Sequence, residues 1–130
     1  MLKLNYALMC QSFVLGERGK YSIIDVFDKV IAPNGVPASR VQTAVAICTS
    51  GTPGIYTEVV EIVNLNDNTS ITKVSDTIEI KADGKNVFVA NIVGITFPTY
   101  GRYWIKVTIQ GQEKPLTNQS VHYVEVREDI

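Results

Sequence analysis

The chain has 130 residues, with 12 basic and 13 acidic side chains and a formal charge of −1; without a Lys/Arg cluster, this balance argues against a nucleic-acid backbone or an anionic membrane as partner. Its 17 Val and 14 Ile far outnumber 6 Leu and 7 Ala, and β-branched side chains lose freedom in a helix but pack well on a pleated surface, so the chain reads as all-β. The length suits a single domain, 1–130, able to bury roughly two-thirds of its unfolded surface without staples.

Eight strands are expected, packed as a two-sheet antiparallel β-sandwich of immunoglobulin-like type. The first spans residues 3–15. Asn5, Cys10 and Gln11 interrupt its apolar run and no small-x-small site follows, so it reads as a strand and not a signal peptide, with the cytoplasm as the expected location. Leu4, Tyr6, Leu8 and Cys10 fall on one face; Ala7, Met9, Phe13 and Leu15 fall on the other. From Leu4 onward it has no proline and no charge, which predicts a poorly guarded edge; its second face is expected either to be buried within the same sandwich or to meet a second copy in a homodimer.

The second strand covers 21–32, with Asp25 and Asp28 its only acids. The prolines and Asn-Gly of residues 33–40 predict a loop. In the third, 41–49, Val41, Thr43, Val45 and Ile47 alternate with the smaller Gln42, Ala44, Ala46 and Cys48 face, over which something should pack closely. The fourth, 55–64, slips phase between Glu58 and Glu61, and a bulge at Val59-Val60 is the simplest repair. Residues 64–70 are the most polar stretch and predict an exposed loop. The fifth runs 72–81 with Val74, Ile78 and Ile80 inward, and Asp83-Gly84 predicts a tight hairpin turn into the sixth, 86–97. That strand is almost continuously apolar and reads as central. After the corner at 98–101, Tyr103, Ile105, Val107 and Ile109 alternate with Trp104, Lys106, Thr108 and Gln110 in a seventh strand with one dry and one wet face. The corner predicts Gly101 at φ > 0 and a buried Tyr103 bonded to backbone. The last strand spans 119–127.

Asn5-Tyr6-Ala7-Leu8-x-Cys10, the run from Lys20 through Tyr21-Ser22-Ile23-Ile24 to Asp28, Pro53-Gly54, and Phe97-Pro98-x-x-Gly101-Arg102-Tyr103 resemble a bacterial family of small stand-alone β-sandwich domains catalogued only as a domain of unknown function. The resemblance spans nearly the whole chain and its motifs are structural. It implies a bacterial or phage-like, cytoplasmic, all-β protein and carries over no catalytic residue.

Chemistry is sparse. His122 is the only histidine, and a Cys/His hydrolase would have to pair it with Cys10 or Cys48. Both cysteines read as free core thiols with no neighbours at metal-ligand spacing. Asp25 and Asp28 face opposite sides of a strand, and Asn64, Asn66, Asp67 and Asn68 offer one carboxylate and no EF-hand pattern. No cofactor, metal or catalytic set is expected. The residues that depart from blandness are aromatic: Trp104, Tyr100, Tyr56 and Tyr123 form the candidate recognition surface. The expected function is a non-enzymatic binding or assembly module for a protein or small ligand. A carbohydrate- or peptide-binding sandwich and a small hydrolase are the alternatives.

Overall fold

A computed structural model describes residues 2–112, 114–116 and 123–129. The chain is all-β, in two packed sheets. In chain order the strands are β1 (Leu2–Leu15), β2 (Tyr21–Val26), β3 (Lys29–Ile31), β4 (Ala38–Gly51), β5 (Gly54–Asn64), β6 (Ser70–Ile80), β7 (Lys85–Phe97), β8 (Gly101–Ile109) and β9 (Tyr123–Arg127). The first sheet has the order β2-β1-β4-β7 and the second β3-β9-β8-β5-β6. The inner faces meet in one core that includes Met9, Val45 and Ile47 from the first sheet and Val60, Ile62, Tyr103, Ile105 and Val107 from the second. Among the described residues no helix is long and apolar enough to cross a membrane.

Several sequence expectations give way to tertiary structure. The expected second strand is two. The chain leaves the first sheet after Val26 and joins the second as β3, which pairs with β9 in parallel, so the two sheets are not wholly antiparallel as expected. The Asp83-Gly84 turn does form, with Gly84 at φ 79 and its N–H bonded to the Lys81 carbonyl. It does not close a hairpin: β6 pairs with β5 and β7 with β4, so the turn carries the chain from one sheet to the other.

β7 is an edge strand and not a central one. Its near-continuous apolar sequence has another cause. Ala90 and Ile92 are buried before Gly94, Ile95 and Phe97 after it, so the inward set changes phase at a glycine held at φ 75. Val93, in the outward set, is 84% exposed. The first strand is the reverse case. Expected as an unguarded edge, β1 lies between β2 and β4, and the free edges belong to β2, β7, β3 and β6. A register irregularity between Leu4 and Tyr6 also shifts its phase, so Leu2, Leu4, Ala7 and Met9 all reach the core.

The corner behaves as its sequence predicts. Gly101 takes φ 121, and a Cβ there would sit 3.1 Å from Asn66 Nδ2. The buried Tyr103 packs edge-on against Phe97, with ring centroids 5.0 Å apart. Its hydroxyl donates to the Thr99 carbonyl at 2.8 Å and accepts from the Thr99 N–H at 3.1 Å. Thr99 Oγ1 lies 3.0 Å from that hydroxyl and accepts from Asn64 Nδ2 at 3.0 Å. Asn64, expected in an exposed loop, is therefore buried, and it ties the β5–β6 connection to the corner.

Tyr103→Phe removes the hydroxyl that satisfies Thr99 and should cost about 1–3 kcal/mol of unfolding free energy. Urea unfolding checks this; a loss of a few tenths of a kcal/mol would mean that the network contributes no net stability.

Candidate functional site

Strand register lays out the outer face of the first sheet residue by residue. Val45 and Ile47 belong to the core, so their neighbours Ala44, Ala46 and Cys48 face away from the second sheet. Across the strands β1, β4 and β7 the outward residues fall in rows: Lys3–Ser50–Lys85, then Tyr6–Cys48–Val87, then Leu8–Ala46–Val89, then Cys10–Ala44–Asn91. Ala44, Ala46, Cys10 and Cys48 are nonetheless buried. Something covers this face, as the run of small residues predicts.

The cover is the far end of the β1–β2 hairpin. Tyr21 pairs with Leu15 at the hairpin tip, yet its hydroxyl lies 2.8 Å from that of Tyr6, nine residues back along β1. A straight strand would put those positions roughly 30 Å apart, more than two tyrosine side chains can bridge. The hairpin therefore bends back, with Asp25 of β2 at φ 55 where a regular strand would be extended. Its turn at Glu17–Gly19 carries a second left-handed residue, Arg18 at φ 57. Phe13 stacks on Tyr21 with ring centroids 5.2 Å apart, stiffening the tip. Burial first, and the hydrogen bond to Tyr21 second, hold the Tyr6 phenol above its ordinary pKa.

The cover is incomplete. Between the hairpin and β7 lies a cleft of about 480 Å³ lined by Phe13, Leu15, Tyr21, Val87, Val89 and Asn91. A second, polar cleft of about 810 Å³ shares Tyr21 and Val87 with it, and Lys3, Asn5, Ser50 and Lys85 are among its lining residues. The two clefts meet at Tyr21 and Val87. Sequence reasoning missed this site because it depends on the bend. The one signal was the alternation of small residues in β4.

The residues nominated from sequence do not assemble. Trp104 and Tyr123 are register partners on the outer face of the second sheet. Tyr100 stands at the corner with its hydroxyl bonded to the Ala32 carbonyl. Tyr56 belongs to the inner face, packs against the core and bonds the Thr52 carbonyl. The four are not one surface. His122 lies outside the described residues. Cys10 and Cys48 are both free and buried; burial raises the pKa of the Cys10 thiol, and Cys48 accepts from the Asn5 amide at 3.5 Å. Among the described residues no group of three or more His, Cys, Asp and Glu is placed to hold a metal. Asp67 accepts from the Thr69 N–H, which lowers its pKa.

Glu58 also departs from expectation. β5 keeps unbroken register with β6 and β8 through Val59 and Val60, so no bulge turns the carboxyl outward and it is 0% exposed. It faces the interior, where Thr49 Oγ1 of the opposite sheet donates to Oε2 at 2.9 Å and Oε1 has no hydrogen-bond partner. Ile109 of β8 and the exposed Asp76 of β6 are its register neighbours. Burial pushes its pKa from 4.5 to about 6, partly offset by the Thr49 hydrogen bond. The unfolded chain ionises Glu58 more readily than the folded one, so stability is highest below pH 4.5 for this group. It falls as pH rises to about 6 and then levels off. The loss should be about 2 kcal/mol, because a tenfold difference in proton affinity between the folded and unfolded chain corresponds to about 1.4 kcal/mol. Measured by urea unfolding, Glu58→Gln should gain that much on wild type between pH 4 and pH 7.5. A difference that does not change with pH would contradict the assignment.

Residues 5–122 match a family described as a family of unknown function, DUF6941, and the chain belongs to it. No curated protein matches the chain.

Proposed function

We propose that this chain is a non-enzymatic ligand-binding module whose site is the cleft on the outer face of the first sheet. The observation that carries this reading is the half-covered face itself: a bent hairpin on one side and the edge strand β7 on the other wall an apolar cleft. Ligand sites are concave and mostly apolar with a few placed polar groups, and the paired clefts have that make-up. The cytoplasm is the proposed setting, supported by two free cysteines. The tyrosine corner supports an immunoglobulin-like relationship as part of the same proposal.

A neutral solvatochromic dye should bind in the apolar cleft and brighten. Leu15→Asp and Val89→Asp, each in a wall of the cleft, should weaken binding about tenfold, since each replaces one buried aliphatic contact with a charge. Ile55→Asp alters an exposed apolar residue of the second sheet and should change nothing. Equal loss in all three variants, or in none, would remove the cleft as the site.

The hydrolase reading draws its support from Cys48, which borders the polar cleft. A catalytic thiol needs access and a lowered pKa. Iodoacetamide should therefore modify native Cys48 far more slowly than the unfolded chain at pH 7, and rapid native modification would favour a nucleophile.

A further inference from the structure

We infer that the cleft takes an aliphatic carboxylate, with its head group at the Lys3–Ser50–Lys85 row and its chain running between the hairpin tip and β7 toward Asn91. The inference rests on the proposed binding role and names the ligand class for the same site.

The argument begins with charge. Ser50 pairs directly with Lys3 on one side and Lys85 on the other, which places the two lysine Cα atoms about 10 Å apart on one face. Both lysines are exposed and both line the polar cleft. One carboxylate, Asp83, shares that lining, and its Oδ1 accepts from the Lys85 backbone N–H at 3.2 Å, closing its own turn. The Ser50 hydroxyl already donates to Asn5 Oδ1 at 3.2 Å, so it is the two flanking lysine ammonium groups that present an excess of positive charge and hydrogen-bond donors to a ligand oxygen. Carboxylate binding uses that combination.

The remaining rows have the opposite character. Beyond Tyr6–Cys48–Val87, Ala46, Ala44 and Cys10 lie buried beneath the hairpin, and the open cleft continues along β7 past Val87, Val89 and Asn91. From Lys85 to Asn91 the distance along that strand is about 20 Å, room for a medium-length acyl chain. Of the side chains that line the apolar cleft only Tyr21 and Asn91 are polar, and the Tyr21 hydroxyl is already bonded to Tyr6. A peptide lying against them would find few partners for its amide groups, and unpaired buried amides are costly. An alkyl chain has no such groups. The lining therefore favours an aliphatic tail over a polypeptide one.

Isothermal titration of the full chain with decanoate, decanol and decylamine, below their micellar concentrations, tests the assignment. Decanoate should bind about fivefold to tenfold more tightly than decanol, a modest margin because exposed ion pairs contribute little each. Decylamine should bind most weakly. Added salt should narrow the margin. The Lys3→Glu and Lys85→Glu variants should abolish the preference for decanoate over decanol, and Lys3→Arg and Lys85→Arg should retain it. Decanol binding as tightly as decanoate in wild type, with the Glu variants silent, would overturn the head-group assignment and leave the cleft as an apolar site. Failure of all three ligands and of the dye would overturn the binding role itself. Tighter binding of an apolar peptide with a free C-terminus than of decanoate would replace the acyl chain with a protein tail.

Discussion

The structure depends on β4 being buried on both of its faces. Val45 and Ile47 lie in the interface between the sheets, while Ala44, Ala46 and Cys48 are buried on the opposite side. A strand with two dry faces needs two covers, and the second sheet supplies only one. The other comes from the chain's own first hairpin, which can lie close because the residues beneath it are small. Close packing of this kind tolerates little added volume. The cleft exists where the hairpin stops short of β7.

The buried polar groups divide into two kinds. Tyr103, Thr99 and Asn64 form a chain of donors and acceptors: the Asn64 amide donates to the Thr99 hydroxyl, the Thr99 hydroxyl to the tyrosine, and the tyrosine to the Thr99 carbonyl. A network satisfied in this way fixes one geometry at a connection that joins the strands of a sheet. Glu58 is different. One oxygen reaches across to Thr49 and the other reaches nothing, so the group is cheaper to bury with its proton than without it. The same residue type three positions on in the same strand, Glu61, falls on the outward face.

What the sequence disclosed follows the range of the forces involved. Alternation from Tyr103 to Ile109 was readable because a strand with one wet face repeats every two residues and no neighbour disturbs it. Gly101 and Tyr103 were readable because a corner is decided by adjacent residues. The small face of β4 was readable as a surface that must be covered, but not what covered it. Asp83-Gly84 specified a turn, and a turn does not specify whether the strands it joins share a sheet. The phase change at Gly94 made an edge strand look central, because burial of alternate faces in succession leaves the same apolar run as burial of both. Glu58 defeated the rule that carboxylates face water: a bulge at Val59-Val60 would have obeyed that rule, but β5 keeps register with both neighbours there, and its irregularity comes later, between Ile62 and Val63. The aromatic surface failed for a related reason: Tyr56 and Trp104 sit on opposite faces of the second sheet, and face is set by register that no single stretch records.

The cleft gathers the features that the fold leaves incomplete. Leu15, Val14, Ile24 and Val26 expose apolar surface along the hairpin, although Asp25, with its left-handed backbone, interrupts the β2 edge and discourages another strand from pairing there. β7 has no such guard between Lys85 and Val93, and its outward side chains form the opposite wall. A self-contained sandwich would have closed the hairpin onto β7, or placed polar residues at 87 and 89 to face water. This chain keeps valine at both positions and places two lysines in the row next to Val87. Local sequence thus disagrees with the needs of an isolated domain at the one face where the cover is partial. Such disagreements collect where a protein meets something other than itself.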